Sequence, residues 1–200
     1  MKLIKSQVVF NPDEHTYMLG DKELSGITSV IGRQLFPDKY RGVPEDVLRK
    51  AAERGTMIHS ICELVDDMGI THDSDEAQGY KELKDDWGLR YECSKYLVSD
   101  NEDYASCIDK VYRENETDFT LGDIKNTYVL DKESVRWQLS IYAYLFELQN
   151  PGCNVVRLIG IWLRGKNHEI VEVERIPSEV VMNLLKCDSE GRQFVNPYSI

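Results

Sequence analysis

Ala105 to Asn126 reads A-S-C-I-D-K-V-Y-R-E-N-E-T-D-F-T-L-G-D-I-K-N, and the rest of the chain is organised around it. Two apolar, β-favouring runs, Ile108 to Tyr112 and Phe119 to Ile124, flank the polar segment Arg113 to Asp118, which predicts two strands joined by a turn. Strand side chains alternate, so Asp123 and Lys125 share the face of Phe119 and Leu121 while Ile124 points the other way. If the strands pair, Asp109 can approach Asp123. Two carboxylates brought together repel unless a proton or a cation lies between them. A divalent ion suits that place, since Mg²⁺ is usually held by one or two carboxylates plus water and phosphate oxygens. Taken alone, D-x-K reads as a strand-end ion pair on a solvated rim, and the rest of the chain has to decide.

A length of 200 residues with 42% hydrophobic content suits one globular domain with a substantial core. Lys5, Ser6 and Gln7 interrupt any apolar leader, and no apolar run approaches membrane-spanning length, so no membrane partner is expected. The five cysteines, Cys62, Cys93, Cys107, Cys153 and Cys187, are odd in number and form no C-x-x-C pair, which predicts reduced thiols and a cytoplasmic protein. A net charge of -11 counts against nonspecific coating of nucleic acid through a large basic surface. It leaves room for a site that grips phosphate locally. Arg33, Lys39, Arg41, Arg49, Lys50 and Arg54 gather in one region; they read either as such a site or as a mixed surface, because Asp38, Glu45, Asp46 and Glu53 are interleaved.

Along the chain, Val8 to Leu19 predicts a hairpin turning at Asn11 to Glu14, Gly20-Asp21 leads to a third short strand, and Ser25 to Ile31 enters a short helix. Glu45 to Met68 is helical in pattern, with Gly55-Thr56 offering a break where glycine ends one helix and threonine caps the next. Met57, Ile58, Ile61, Cys62, Leu64, Val65 and Met68 form its apolar arc, opposite His59, Glu63, Asp66 and Asp67. His59 and Glu63 are neighbours one turn apart; by themselves they read as a solvated face. The acidic loop T-H-D-S-D-E then precedes a polar helical stretch, and His72-Asp73 lacks the spacing of a two-histidine, one-carboxylate iron site. Leu89 to Val98 predicts a strand with Glu92, Ser94 and Tyr96 on one side. Asp131 to Asn150 is the clearest helix, capped by Asp131. Gln138 and Tyr142 fall within its apolar arc of Val135, Leu139, Ile141, Leu145 and Phe146, with Arg136, Ser140 and Glu147 on the wet side. A glutamine there either satisfies a strand carbonyl or is presented to a site, since a buried amide without partners costs about 1–3 kcal/mol. A hairpin over Val155 to Ile176, a helix from Pro177-Ser178 to Cys187 and a tail from Gly191 to Ile200 complete the chain.

Set in order, these pieces resemble the RecB-type branch of the PD-(D/E)XK nucleases, which includes phage recombination exonucleases. The residues that carry the resemblance are Gly55 to Glu63 (G-x-x-x-H-x-x-x-E), Ile108-Asp109, Gly122 to Thr127 with its D-I-K, and Gln138 to Tyr142 (Q-x-x-x-Y). The H-T-Y-M-L-G stretch and the T-S-V turn look like what precedes the nuclease core in phage-type members. The resemblance implies a restriction-endonuclease-like α/β (α+β) core, a mixed central sheet flanked by helices, over 45–190, with an N-terminal hairpin and loop extension over 1–44. It implies Mg²⁺ or Mn²⁺ held by His59, Asp109, Asp123 and the Ile124 carbonyl, with Lys125 orienting or helping to deprotonate the attacking water. Glu63, Gln138 and Tyr142 would support the site or contact the DNA backbone. Some members carry an iron-sulfur cluster on an upstream cysteine and three C-terminal ones; here only Cys187 lies beyond Cys153, so no such cluster is expected.

The function implied is a metal-dependent DNA exonuclease of phage or prophage recombination or DNA repair, acting on single- or double-stranded ends, with a recombination protein as a further partner. The alternatives are a catalytically inactive nuclease-fold module for nucleic-acid binding or assembly, and an unrelated metalloenzyme, which the lack of a second metal-binding histidine motif disfavours. Polarity, strand preference and oligomeric state are not written in these residues.

Overall fold

The computed structural model describes residues 1–12, 14–69 and 73–198; Asp13 in the first turn, Thr71 and His72 of the acidic loop and the last two residues of the tail lie outside the described residues. The elements run β1 (Val9–Asn11), β2 (Thr16–Leu19), β3 (Lys22–Gly26), α1 (Ile27–Gln34), α2 (Glu45–Met68), α3 (Asp75–Asp86), β4 (Tyr91–Ser99), β5 (Tyr104–Arg113), β6 (Asp118–Lys125), α4 (Lys132–Gln149), β7 (Asn154–Arg164), β8 (Asn167–Glu172) and α5 (Ser178–Ser189). This is an α+β arrangement with a central mixed sheet between layers of helices.

The sheet order is β1-β2-β3-β5-β6-β7-β8, with β4 also paired to β5. β5 and β6 are antiparallel, as their shared turn dictates, and β6 and β7 are parallel because α4 crosses between them. On one face α1, α4 and α5 close a core around Ile108, Val111, Phe119 and Leu121. On the other, α2 and α3 pack on Tyr112, Ile124 and Ile161. β6 is buried on both faces, and Gly122 leaves room there for close packing: a Cβ would stand 3.1 Å from the Tyr112 ring and 3.2 Å from Ile161 Cδ1, so those side chains would have to shift.

One feature of the pairing makes the site. A strand has two edges, and β4 occupies one edge of β5 from Ala105 to Tyr112. β3 and β6 must therefore share the other, β3 at Tyr104 and Ala105 and β6 from Lys110 to Arg113. Between them, residues 106–109 of β5 face no neighbouring strand, an opening of about 13 Å at ~3.3 Å per residue. Asp109 sits at its lower lip.

Several expectations change. α2 is one unbroken helix: the Thr56 hydroxyl donates back to the Ala52 carbonyl at 3.1 Å instead of capping a new helix. Its inner face differs from the expected arc, because Met57, Leu64 and Met68 are exposed whereas the Asp66 side chain is fully buried. Glu92, Ser94 and Tyr96 do not share a side. Ser94 faces Lys110 and Tyr96 packs on Phe146, since a bulge between Tyr91 and Cys93 and a left-handed Lys95 (φ 49°) reset the alternation. Ser140 is buried rather than wet, and its hydroxyl accepts the Ile176 amide at 2.9 Å. The tail is anchored by Phe194, packed edge-on against Trp137.

Candidate active site

Four elements deliver side chains to the opening in the sheet. β5 supplies Asp109, β6 supplies Asp123 and Lys125, α2 reaches in from one layer with His59, and α4 from the other with Gln138 and Tyr142. Together they line a cleft of about 410 Å³. Where the β5–β6 ladder stops, the Ile124 amide donates to Asp109 Oδ2 at 2.8 Å, so the carboxylate takes the place of a ladder carbonyl. His59 lies with Nδ1 3.3 Å from Asp109 Oδ1 and Nε2 3.2 Å from the Ile124 carbonyl. Both facing atoms are acceptors, so the imidazolium, donating from both nitrogens, satisfies the pair.

On the other side, Lys125 Nζ stands 2.7 Å from Asp123 Oδ2 and donates to Gln138 Oε1 at 3.1 Å. Gln138 Nε2 donates to Asp123 Oδ1 and to the Tyr142 hydroxyl, both at 2.7 Å. The orientation of the Gln138 amide follows from this chemistry: an ammonium can only donate and a carboxylate can only accept. Gln138 thus meets its cost of burial inside the site and clamps Asp123 and Lys125 together. Of its two possible roles, presentation to a site is the one realised.

The electrostatics separate the two aspartates. Burial pushes the Asp123 carboxyl above its ordinary range, with the charge of Asp109 adding to it, and Lys125 offsets this only in part. Burial acts the same way on Asp109, but His59, Lys125 and the Ile124 amide outweigh it and hold that carboxyl below its ordinary range. Burial would lower His59 and Lys125, yet the neighbouring carboxylates prevail and both are raised. Groups whose titrations are driven apart in one cleft are a signature of functional sites.

Two carboxylates and a backbone carbonyl are oxygen donors of the kind a hard divalent ion takes, and the imidazole adds a nitrogen donor of softer character. Asp123 Oδ2 is buried, and its one close partner is the Lys125 ammonium at 2.7 Å, poorly aligned for a hydrogen bond. Among the described residues, however, no three His, Cys, Asp or Glu side chains stand close enough to enclose an ion. As placed, the donors neutralise one another in two pairs, His59 with Asp109 and Lys125 with Asp123. An entering cation has to displace those contacts.

Glu63 is not drawn into this cluster. Its carboxylate pairs with Lys95 of β4 at 2.9 Å, and it is Lys95 that lines the cleft. The six basic residues ahead of the site are each matched to an acid, Arg33 to Asp188, Lys39 to Asp131, Arg41 to Asp38, Arg49 to Glu53, Lys50 to Asp46 and Arg54 to Glu76. Of the two readings, the mixed surface is the one observed. The sequence reading passed over Lys110, buried next to Asp109 on the α2 side and paired with Asp66 at 2.6 Å. A lysine inside the apolar run Ile108 to Tyr112 was the available signal, since a cation there needs a buried partner.

No protein-family model matches the chain, and no curated protein matches it. Among solved structures it is similar to SSO0001, at 13% identity and a TM-score of 0.48, covering 86% of this chain and 78% of that one. It is also similar to an alkaline exonuclease, LHK-Exo, from Laribacter hongkongensis, at 10% identity and a TM-score of 0.45, covering 84% of each chain. Likenesses this distant assign no chemistry. Among the described residues, no helix is long and apolar enough to cross a membrane.

Proposed function

We propose that this cleft is the active centre of a divalent-metal-dependent nuclease that hydrolyses phosphodiester bonds in DNA, working as an exonuclease in phage recombination or DNA repair. The observation that carries the proposal is the meeting of Asp109, Asp123 and Lys125 in one cleft at the unpaired edge of β5, with the Asp123 carboxylate buried against the Lys125 ammonium. Asp109, Asp123 and the Ile124 carbonyl, with His59, would hold Mg²⁺ or Mn²⁺. Such an ion supplies a bound water of lowered pKa and offsets charge on the phosphoryl oxygens.

The chain's own groups do the rest. Lys125, kept protonated by the carboxylates, orients the attacking water and faces the charge that develops on the phosphate. Gln138 fixes the Asp123–Lys125 spacing, and Tyr142 fixes Gln138. His59, held by Asp109, keeps α2 closed over the opening.

The alternative, a binding module on a nuclease fold, draws on the mutual neutralisation of the two ion pairs. Digestion of end-labelled linear and closed circular DNA separates them. Loss of label from the linear form with Mg²⁺ or Mn²⁺, none with EDTA, and a spared circle is the expected result. Binding without cleavage of any form in any metal would leave the module.

A further inference from the structure

We propose that the β1–β2 hairpin carries a base-stacking subsite, in which Phe10 and His15 receive the nucleobase of an unpaired strand beside the phosphodiester held at Lys125. The proposal rests on the nuclease reading and adds to it the form of the substrate.

The cleft that holds Asp109, Asp123 and Lys125 is roofed by Phe10, Pro12, His15 and Tyr17 of the hairpin. These rings are held in place. Tyr17 is 4% exposed and packed with Val8, Leu24 and Ala105. Phe10 stacks on it with centroids 4.7 Å apart and planes at 29°, and His15 stands edge-on to Phe10 at 5.2 Å and 87°. His15 keeps this position with a left-handed backbone (φ 54°), a conformation that histidine adopts more readily than most residues.

A second cleft of about 360 Å³ shares Thr28, Lys125 and Gln138 with the first and is walled by Phe36 and Tyr40. Lys39 lies over both of those rings, 5.5 and 6.0 Å from their centroids. The order across the site is therefore rings, cation, rings, which matches base, phosphate, base along a nucleic-acid strand. A duplex covers the faces of its bases with neighbouring pairs, so only an unpaired strand or a frayed end can offer a face to Phe10. Charge points the same way. The net charge is -11, and Lys39 and Lys95 are both paired to acids, so stacking rather than phosphate attraction has to supply the grip.

The test uses fluorescent single-stranded dodecamers in EDTA, with one abasic residue walked along the strand, and the same strands in Mg²⁺ for cleavage. An abasic residue at one position should weaken wild-type binding about 5- to 150-fold, the range for one stacked base. Phe10→Leu, which keeps apolar volume but removes the ring, should weaken the intact strand and abolish the abasic penalty, a non-additive pair. His15→Ala, an exposed position, gives the same readout without core disturbance. Equal wild-type affinity for abasic and intact strands overturns the proposal, as does an abasic penalty that survives in both variants, or a blunt duplex bound as well as the single strand. Abasic-sensitive binding without cleavage in any metal would keep the subsite and sink the nuclease; cleavage that ignores the abasic residue would do the opposite.

Discussion

Replacing Asp66 should destabilise the helical layer that carries His59, and the structure sets the order of cost within its network. Asp66 Oδ2 accepts Lys110 Nζ at 2.6 Å and the Tyr80 hydroxyl at 2.7 Å, while Oδ1 pairs with Lys84. Asp66 and Lys110 are 0% and 1% exposed at their side chains, and Lys84 is 17% exposed. One carboxylate thus serves two ammonium groups. Asp66→Asn removes the negative charge that both share and one of its two acceptor oxygens, and Lys110, left with neutral partners such as the Ser94 hydroxyl at 2.7 Å and the rings of Tyr80 and Tyr91, cannot reach water. Removing one partner of a buried pair costs about 3–5 kcal/mol, a large share of a total stability of roughly 5–15 kcal/mol. Lys110→Met leaves Asp66 its pair with Lys84 and should cost less. Lys84→Met should cost least, since Lys84 lies nearer the surface and its loss leaves Asp66 paired with Lys110 and the Tyr80 hydroxyl. Urea unfolding followed by tryptophan fluorescence measures the series. A loss under about 1 kcal/mol for Asp66→Asn, or equal losses for Lys84→Met and Lys110→Met, would refute the reasoning.

Three further outcomes are expected. Lys125→Ala should lower turnover by orders of magnitude while metal affinity persists and DNA affinity falls only modestly, because one phosphate contact is a limited share of binding; near-wild-type rates at saturating DNA and Mg²⁺ would contradict this. In calorimetry, an Asp109→Asn/Asp123→Asn variant that stays folded should lose Mn²⁺ binding, and unchanged affinity would show that the ion sits elsewhere. Burial alone would raise Asp188, but hydrogen bonds from Arg33, Gln34 and Tyr104 hold its carboxyl below the ordinary range. A depressed folded pKa stabilises at pH above the unfolded value, near 4, and the gain is lost as pH falls through the folded value. Wild type should therefore exceed Asp188→Asn in urea midpoint at pH 7, with the gap closing below pH ~4; a gap that is constant down to pH 3 would exclude the linkage.

What the sequence disclosed and what it hid have physical causes. The β5–β6 pair, the Asp131 cap, whose side chain accepts the Ser134 amide at 3.0 Å, and the inward Gln138 were legible because each is written in a local period or spacing. Asp66 was assigned to the wet face because a helical period reports hydrophobicity, whereas its burial is decided by Lys110, far away in the chain. The same holds for Ser140, turned inward by a single amide from the strand-to-helix connection at Ile176. Lys95 broke the alternation of β4 through one backbone angle that residue type does not announce. The basic residues from Arg33 to Arg54 looked like a patch in one dimension, but three of their partners, Asp188, Asp131 and Glu76, come from elsewhere in the fold. The opening in the sheet was invisible for a related reason: it exists because β3, an N-terminal strand, and β6 meet the same edge of β5 at different heights.

The central claim is that Asp109, Asp123 and Lys125 cut phosphodiester bonds with a divalent ion. Single-turnover cleavage of an end-labelled linear strand by wild type and by Asp109→Asn, each with Mg²⁺ and with EDTA, tests it most directly. The account predicts product only from wild type with Mg²⁺, with the Asp109→Asn protein still folded by circular dichroism. Cleavage by folded Asp109→Asn at the wild-type rate, or by wild type in EDTA, would contradict it.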